Sequence, residues 1–279
     1  MSREPTDFVH IARQHNRRAW DALVAREQRF TRPARDADVS DSPSIVAGDT
    51  WLEGGVKGRR VLCLAAGGGR QSAFYAAAGA LVTVVDISPA MLALDRQVAT
   101  ERGLNIRAIE TSMDDLSCFM AGEFDVVIQP VSSCYVPDVG RVYREVARVI
   151  AAGGIYISQH KQPASLQADV RASTHGYELT EPYYRSGPLP AVVNSPHREE
   201  GTFEFLHRWE ELIGELCRAG FVVEDLLEPV HAEAQAAPGD FAHRSRYVAP
   251  YVRIKARRIA KGSAGAAAEG GSQALWTPT

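Results

Sequence analysis

The sequence predicts an α/β fold in which helices cover both faces of a doubly wound, mostly parallel sheet. Short runs of continuous apolar residues recur along the chain, as expected for strands that are buried on both faces. Segments with helical spacing separate these runs, which is the pattern of parallel strands joined by helical crossovers. Of the 279 residues, 45% are hydrophobic and 23% are charged, which is the composition of a globular protein with a sizeable core.

The first elements follow from periodicity. Apolar residues at spacings of three and four predict a helix over 8–29, and the Pro-, Asp- and Ser-rich segment 31–49 predicts a loop. A first strand is predicted over 60–64. It ends in a bend with the glycines 67–69, after which an Ala-rich helix covers 71–79.

The alternation continues through a second strand over 81–85, which ends at Asp86. Ser88 is a good N-cap for a helix over 89–99, because serine before proline suits the start of a helix. A weak third strand is predicted over 106–109.

Three further elements complete the parallel part of the sheet. A fourth strand is predicted over 124–128 and a helix over 141–150. The glycine pair 153–154 is predicted to end this helix, and a fifth strand follows over 155–158.

The alternation of strand and helix patterns stops after the fifth strand and resumes near residue 209. Segment 161–208 has no clean period, and its length and tyrosines are typical of a lid or binding loop. A helix over 209–219 and a sixth strand over 221–223 follow. A seventh strand is predicted over 247–254, and Pro250 within it favours an edge or irregular strand.

Charge and cysteine content narrow the classes of partner and compartment. The net charge of −3 gives no positive field for nucleic acid, and no apolar run reaches the ~18–20 residues of a membrane span. The N-terminus lacks the apolar centre of a signal peptide.

Four separated cysteines without a CxxC pair predict thiols in a reducing cytoplasm and no metal site. They are Cys63, Cys118, Cys134 and Cys217. The oligomeric state stays open.

The glycine bend and Asp86 predict a nucleoside site. Glycines between a strand and a helix let the backbone approach a ligand closely, although a tight turn without a ligand would have the same sequence. Asp86 lies seventeen residues after Gly69 (86 − 69), at the tip of the second strand. Its carboxylate can accept hydrogen bonds from two ribose hydroxyls, or it can cap the helix that begins at Pro89.

A dinucleotide is the alternative ligand, and it would make the chain an NAD(P)-dependent oxidoreductase. The bend, however, is a poor match to GxGxxG, because Ser72 occupies the third glycine position.

Five segments, taken in order, resemble the successive motifs of class I S-adenosylmethionine-dependent methyltransferases. The resemblance is strong over 60–160 and looser as far as 254. The five segments are VLCLAAGGG at 61–69, VVDISPAML at 84–92, TSMDDL at 111–116, FDVVI at 124–128 and VIAAGG at 149–154.

This resemblance implies a Rossmann-like, seven-stranded sheet with an antiparallel last strand, and S-adenosyl-L-methionine as the cofactor. The bend would lie against the methionine and ribose, Asp86 would bind the ribose, and the residues after the third and fourth strands would contact the adenine and adjoin the methyl donor. The implied cofactor residues are Ala65, Gly67, Gly69, Asp86, Ile87, Ser112, Met113, Gln129 and Pro130.

Three residues depart from the pattern of the family. Cys63 and Ser112 stand where the family commonly has acidic residues, and Ala65 stands where it commonly has the first glycine. Asp114 is a candidate for the missing carboxylate. The substitutions leave open a non-catalytic cofactor-binding module.

Two residues are candidates for roles around the acceptor. His160 ends the fifth strand and is the candidate general base, because its ordinary pKa of ~6.5 suits proton transfer; the alternative is a histidine that only bonds to the lid. Trp20 shares a helix face with Asn16 and is predicted to pack at the mouth of the cofactor or acceptor site, although it could instead anchor the core.

The predicted organisation is a helical cap (1–50), a methyltransferase domain (51–260) with a substrate lid (161–208), and a flexible tail (261–279). The predicted reaction moves the methyl group of S-adenosylmethionine to an oxygen or nitrogen atom of a small-molecule acceptor, such as a natural product.

Overall fold

Seven strands form the central sheet of the protein. They are β1 (Arg60–Leu64), β2 (Leu81–Asp86), β3 (Ile106–Glu110), β4 (Phe124–Gln129), β5 (Ile150–Lys161), β6 (Phe221–Leu227) and β7 (Tyr251–Arg258). The computed structural model describes residues 5–193 and 195–259. The strand order is β3-β2-β1-β4-β5-β7-β6. Strands β1 to β5 pair in parallel, and β7 is antiparallel to both of its neighbours, which confirms the predicted sheet.

The helices within the described ranges lie between and around these strands. They are α1 (Pro5–Ala25), α2 (Asp36–Ser40), α3 (Ser42–Gly48), α4 (Gln71–Ala77), α5 (Pro89–Arg102), α6 (Val139–Val149), α7 (Pro163–Gln167), α8 (Glu215–Arg218) and α9 (Phe241–Arg244). A π-helical turn, Glu210–Gly214, precedes α8. None of the described helices is both long and apolar enough to span a membrane.

The side chains of β1 show that the sheet is buried on both faces. Leu62 and Leu64 pack into the core shared with α6, whereas Val61 and Cys63 pack into the core shared with α4. All four side chains are fully buried. Because successive side chains of a strand point to opposite faces, a continuous apolar run fills both cores.

Helix α5 begins and ends as its sequence predicts. The Ser88 hydroxyl accepts a hydrogen bond from the Met91 N–H, and Pro89 occupies the first turn. Gly103 closes the helix with φ of +63°, a conformation that glycine adopts without steric cost. The helix thereby holds a fixed position behind the tip of β2.

The prediction of a loop over 31–49 is wrong, because this segment contains α2 and α3. Arg35 and Asp38 bond to each other at the start of α2, and Pro43 lies in the first turn of α3, where its missing N–H costs nothing. Val39 and Val46 are buried beneath the two helices. The few large apolar residues of these helices, Val39, Ile45 and Val46, are too sparse to produce a clear helical period.

The predicted glycine stop between α6 and the fifth strand is also corrected. Helix α6 ends at Val149, and β5 begins at the next residue. The glycines lie inside the strand, where Phe124 pairs with Ile150 but Val126 pairs with Ile155. The residues of β5 between these two pairs, 151–154, form a bulge, and Gly153 within it has φ of +76°.

The last two strands differ from their predicted bounds and position. Strand β7 begins at Tyr251, so Pro250 precedes it, and the Pro250 carbonyl accepts a hydrogen bond from the Gln162 N–H. Strand β7 lies inside the sheet between β5 and β6, not at its edge. The predicted helix over 209–219 is π-helical in its first half.

Segment 161–208 has little regular structure, as predicted, apart from α7 and two isolated bridges. It packs beside the carboxyl ends of β4 and β5 through contacts described below. The predicted flexible tail, 261–279, lies outside the described residues.

Candidate active site

A cavity of about 610 Å³ follows the carboxyl edge of the sheet. The ends of β1 to β5 and β7 contribute to it, and α1 and the 161–208 segment supply further walls. Ligands of open α/β sheets bind at this edge. Nine of the sequence-predicted residues line the cavity: Trp20, Ala65, Gly67, Asp86, Ile87, Ser112, Met113, Gln129 and Pro130. Gly69 and His160 are not part of its lining.

The Asp86 carboxylate is fixed at the glycine bend. Its Oδ2 accepts a hydrogen bond from the Gly67 N–H at 2.9 Å, and its Oδ1 accepts one from the Ser88 N–H at 2.9 Å. Burial outweighs these bonds and raises the pKa of Asp86 to about 6. Each carboxylate oxygen can accept a further hydrogen bond, so Asp86 can still receive hydroxyl donors from the cavity.

The backbone of the bend leaves no space for larger residues. A Cβ at Gly67 would lie 2.7 Å from Met91 Cβ and 2.9 Å from Asp86 Oδ2. Ala65 has φ of +46°, a left-handed conformation that costs an L residue roughly 1–2 kcal/mol. This backbone conformation explains why glycine suits the position that Ala65 occupies.

Asp95 holds the rest of the bend, a role that the sequence pattern does not predict. Its carboxylate accepts hydrogen bonds from the Gly68 and Gly69 N–H groups at 2.9 and 3.1 Å and from the Ser72 hydroxyl. Burial raises the pKa of Asp95 to about 6. The available signal was an acid on the buried face of α5, four residues after Met91.

The residues after β3 join the cavity to α1. The Ser112 hydroxyl donates a hydrogen bond to the Asp114 carboxylate, which also pairs with Arg13 at 2.7 Å. Asp114 is nearly fully buried but does not line the cavity. Its carboxylate therefore joins α1 to the loop after β3.

The Gln129 side chain is held within the protein at the end of β4. Its Nε2 donates to Ser132 Oγ at 3.0 Å and approaches Met113 Sδ at 3.4 Å, and its Oε1 accepts from the Tyr156 hydroxyl. These bonds fix the start of the loop that carries Pro130 along the cavity.

Helix α1 closes one side of the cavity. Trp20 packs edge to face on Tyr135, with 5.5 Å between ring centroids, and both rings line the cavity. The Asn16 side chain donates to the Tyr135 carbonyl at 2.9 Å. Asp21 accepts from the Ser88 hydroxyl at 2.6 Å, so α1 is bonded to the segments that follow β2 and β4.

His160, the candidate general base, is not part of the cavity lining. Its ring is fully buried, and its nitrogens bond to Ser133 Oγ at 2.7 Å and Ser158 Oγ at 2.8 Å. Burial lowers the pKa of His160 to about 3. Its neighbours Gln159 and Lys161 do line the cavity.

A buried polar group at the far end of the cavity was also missed. Lys161 Nζ bonds to Glu199 at 2.8 Å and to Glu204 at 3.0 Å, and the Tyr135 hydroxyl donates to Glu199 at 2.6 Å. Lys161, Glu199 and Tyr135 line the cavity. Glu199 lies in the irregular segment, so no periodicity in the sequence connects it to β5.

No cluster of three or more histidine, cysteine, aspartate or glutamate side chains able to hold a metal ion occurs in residues 5–193 and 195–259.

Comparison with known proteins identifies the family. A family model described as a methyltransferase domain matches residues 62–158. The chain is 36% identical over 228 residues to the uncharacterized methyltransferase YbaJ of Bacillus subtilis (strain 168), covering 77% of this chain and 89% of that protein. The chain belongs to the class I S-adenosylmethionine-dependent methyltransferases.

Solved structures agree with the fold of this methyltransferase. An S-adenosylmethionine-dependent methyltransferase from Mesorhizobium loti matches with a TM-score of 0.59 at 22% identity, covering 73% of this chain and 92% of that one.

A second relative is similar in sequence over a shorter part of the chain. The ubiquinone biosynthesis O-methyltransferase of Bordetella avium (strain 197N) is 34% identical over 103 residues, which are 37% of this chain and 43% of that protein.

The residues of the cavity fit the cofactor of this family, S-adenosyl-L-methionine. Gly67 has no side chain, and its surroundings leave no room for one, so a ligand can approach its backbone closely. The buried Asp86 carboxylate beside it can accept hydrogen bonds from ligand hydroxyls. When bound, this cofactor supplies a methyl group activated on a sulfonium. Family membership excludes the oxidoreductase alternative.

Proposed function

We propose that this methyltransferase transfers the methyl group to an oxygen or nitrogen atom of a small-molecule acceptor bound in the same cavity. The observation that carries the proposal is the continuity of the cavity. It extends from Asp86 and the glycine bend, past Gln129, to Lys161 on β5 and Tyr251 on β7. A pocket of about 610 Å³ is within the range of small-molecule sites.

The cofactor half of the cavity is assigned to the ends of β1 to β4. We propose that the bend at Ala65 and Gly67 lies along the methionine and ribose, and that Asp86 accepts the ribose hydroxyls. Ile87 and Met113 supply apolar surface for the adenine. Gly69 contributes indirectly. Its N–H donates a hydrogen bond to Asp95, and a side chain at this position would meet α5.

The acceptor half is assigned to the aromatic walls beyond the β4 loop. Phe241 and Tyr251 lie 6.3 Å apart between ring centroids, and His231 lies 5.4 Å from Tyr251. Trp20 and Tyr135, which are in ring contact with each other, add further aromatic surface to the lining. Such surfaces suit an apolar or planar acceptor with a few polar groups. The O-methyltransferase relative from Bordetella avium favours oxygen as the acceptor atom.

Helix α1 and the 161–208 segment are proposed to act as cap and lid over a single domain that spans 51–260. Both contribute side chains to the cavity and both bond to Tyr135, through Asn16 and Glu199. Their role is to orient the two substrates and to exclude water, which is the main task of the protein when the methyl group is already activated. The four cysteines are free, which suits a reducing compartment such as the cytoplasm.

Two measurements test the proposal. Calorimetric titration should detect binding of S-adenosylmethionine and its demethylated product but not of NAD. Transfer of labelled methyl from the cofactor to a panel of phenols, amines and carboxylic acids should then yield a labelled small molecule. Label found only on protein or nucleic acid would contradict the small-molecule acceptor.

A further inference from the structure

Glu199 is a carboxylate that lines the cavity next to Lys161 on β5. We propose that Glu199 takes the proton of the acceptor, and that the acceptor therefore carries a hydroxyl or a protonated amine and not a carboxylate. This inference rests on the proposed function, because it concerns the second substrate of the same cavity.

The position of Glu199 is fixed from two sides. The Tyr135 hydroxyl donates to its Oε2 at 2.6 Å from the turn after β4, and Lys161 Nζ donates to the same oxygen at 2.8 Å from the end of β5. Neither bond uses Oε1. The Glu199 side chain is 14% exposed, and it lines the cavity. A second substrate can therefore meet a carboxylate whose direction is already set.

The charges around Glu199 keep it ionised. Burial alone would raise the pKa of Glu199, but the positive charge of Lys161 and the hydrogen bonds outweigh it, and the net shift is downward. Glu204 is fully buried, accepts hydrogen bonds from Lys161 Nζ at 3.0 Å and from the Glu199 N–H at 3.2 Å, and has a raised pKa because of burial. Arg198 bonds to Glu204 at 3.2 Å. The two carboxylates thus differ in environment, and Glu199 is the one in contact with the cavity.

The two groups that bond to Glu199 are unsuitable as bases. Burial raises the pKa of Tyr135 well above its usual value, so its hydroxyl keeps its proton. The two glutamates raise the pKa of Lys161 against the opposing effect of burial, so the ammonium also keeps its protons. Asp86 is bonded to the backbone at the other end of the cavity. His160 lies outside the lining.

The proton transfer balances as follows. The O–H or N–H bond of the acceptor breaks, and its proton moves to the Glu199 carboxylate. The electron pair left on oxygen or nitrogen forms the new bond to the methyl carbon, while the pair of the broken S–C bond stays on sulfur. An acceptor carboxylate has no proton to give at neutral pH, and the charge of Glu199 would repel it.

The first experiment compares acceptor classes. Phenol, catechol, benzylamine and benzoate are each incubated with the full-length enzyme and methyl-labelled S-adenosylmethionine. Label is expected on a phenol or on the amine. Label on benzoate, or no label on any phenol or amine, would overturn the inference. Cofactor binding measured on the same sample remains a separate test of the proposed function.

The second experiment tests Glu199 itself with the labelled acceptor from the first. Glu199→Gln is expected to lower kcat by about 100-fold or more, the usual contribution of a general base. Its affinity for S-adenosylmethionine should change less than about twofold, which also shows that the variant folds. A fall in kcat of less than about fivefold in this folded variant would overturn the inference.

Two further variants separate proton transfer from structural damage. Tyr135→Phe removes one bond to Glu199 but keeps its carboxylate, so kcat should fall far less than in Glu199→Gln. Glu181→Gln, in the same segment but paired with Arg185 outside the cavity lining, is the matched control and should leave kcat unchanged. Equal losses of kcat in Tyr135→Phe and Glu199→Gln would assign Glu199 a structural role.

Discussion

Asn16 and Phe203 are joined by hydrogen bonds in both directions. The Asn16 Nδ2 donates to the Phe203 carbonyl at 3.0 Å, and the Asn16 Oδ1 accepts from the Phe203 N–H at 2.7 Å. The side-chain amide thus pairs with the backbone as a neighbouring strand would. Because Asn16 lies on α1 and Phe203 in the 161–208 segment, this pair connects the proposed cap to the proposed lid.

Removal of this connection should loosen both covers of the cavity. Asn16→Ala loses three hydrogen bonds from a site that is only 3% exposed, so backbone N–H groups in α1 and around Phe203 should exchange with solvent faster. The KM for S-adenosylmethionine should rise several-fold. Arg18→Ala, on the exposed face of the same helix, serves as the control. Unchanged exchange and KM in Asn16→Ala would refute the covering role of α1.

The glycine bend should tolerate no side chain at position 67. In Gly67→Ala the new Cβ meets Met91 and Asp86 at less than 3.0 Å, so the carboxylate must move. We expect at least a tenfold loss of affinity for S-adenosylmethionine by calorimetry. Gly48→Ala adds the same atom where nothing lies within 4 Å, and its affinity should match the parent. Equal affinities in both variants would mean that the cofactor does not depend on this bend.

Cofactor affinity should depend on pH through Asp86. Because the pKa of Asp86 in the folded protein is about 6, lowering the pH from 7 to 5 protonates the carboxylate and should weaken binding by up to about tenfold per unit below 6. The stability of the unliganded protein should change in the opposite direction and fall as the pH rises. The folded-state pKa lies above the ordinary value of 3.8, so this group lowers stability as the pH rises from about 4 to 6. Titrations and thermal unfolding at several pH values check both trends, and a constant affinity between pH 5 and 7 would contradict the first.

His160 should matter for stability and not for proton transfer. His160→Asn disturbs two buried hydrogen bonds, so the free energy of unfolding in urea should fall by roughly 1–3 kcal/mol. Under saturating substrates kcat should stay within about threefold of the parent, because the ring does not reach the cavity. A 100-fold loss of kcat with intact folding would restore His160 as the base.

The sequence was informative where contacts are local. Apolar runs located β1 to β4 within one residue of their observed ends, and Ser88 with Pro89 located the start of α5. The glycine bend and Asp86 could be paired because each ends a strand, and adjacent parallel strands bring those ends together. These are properties of short segments and of one general topology.

Long-range side-chain contacts could not be predicted in the same way. Glu199 meets Lys161 across 38 residues of a segment without regular period, and Asp95 meets the bend from the middle of a helix. The position of His160 at the end of a strand predicts an accessible ring, yet the ring is fully buried and outside the cavity that its neighbours line. Deciding such cases requires the direction of each side chain, which depends on the register and twist of the folded sheet.

The central claim is that Asp86, fixed at the glycine bend, binds the nucleoside of S-adenosylmethionine. Calorimetric titration of Asp86→Asn at pH 7.5 tests it most directly, with Asp36→Asn, whose side chain is 99% exposed, as the control. Loss of hydrogen bonds to a charged acceptor, worth about 1.5–3 kcal/mol, should weaken cofactor binding by roughly 10- to 100-fold in the folded Asp86 variant. Binding as tight as that of the parent would contradict the assignment.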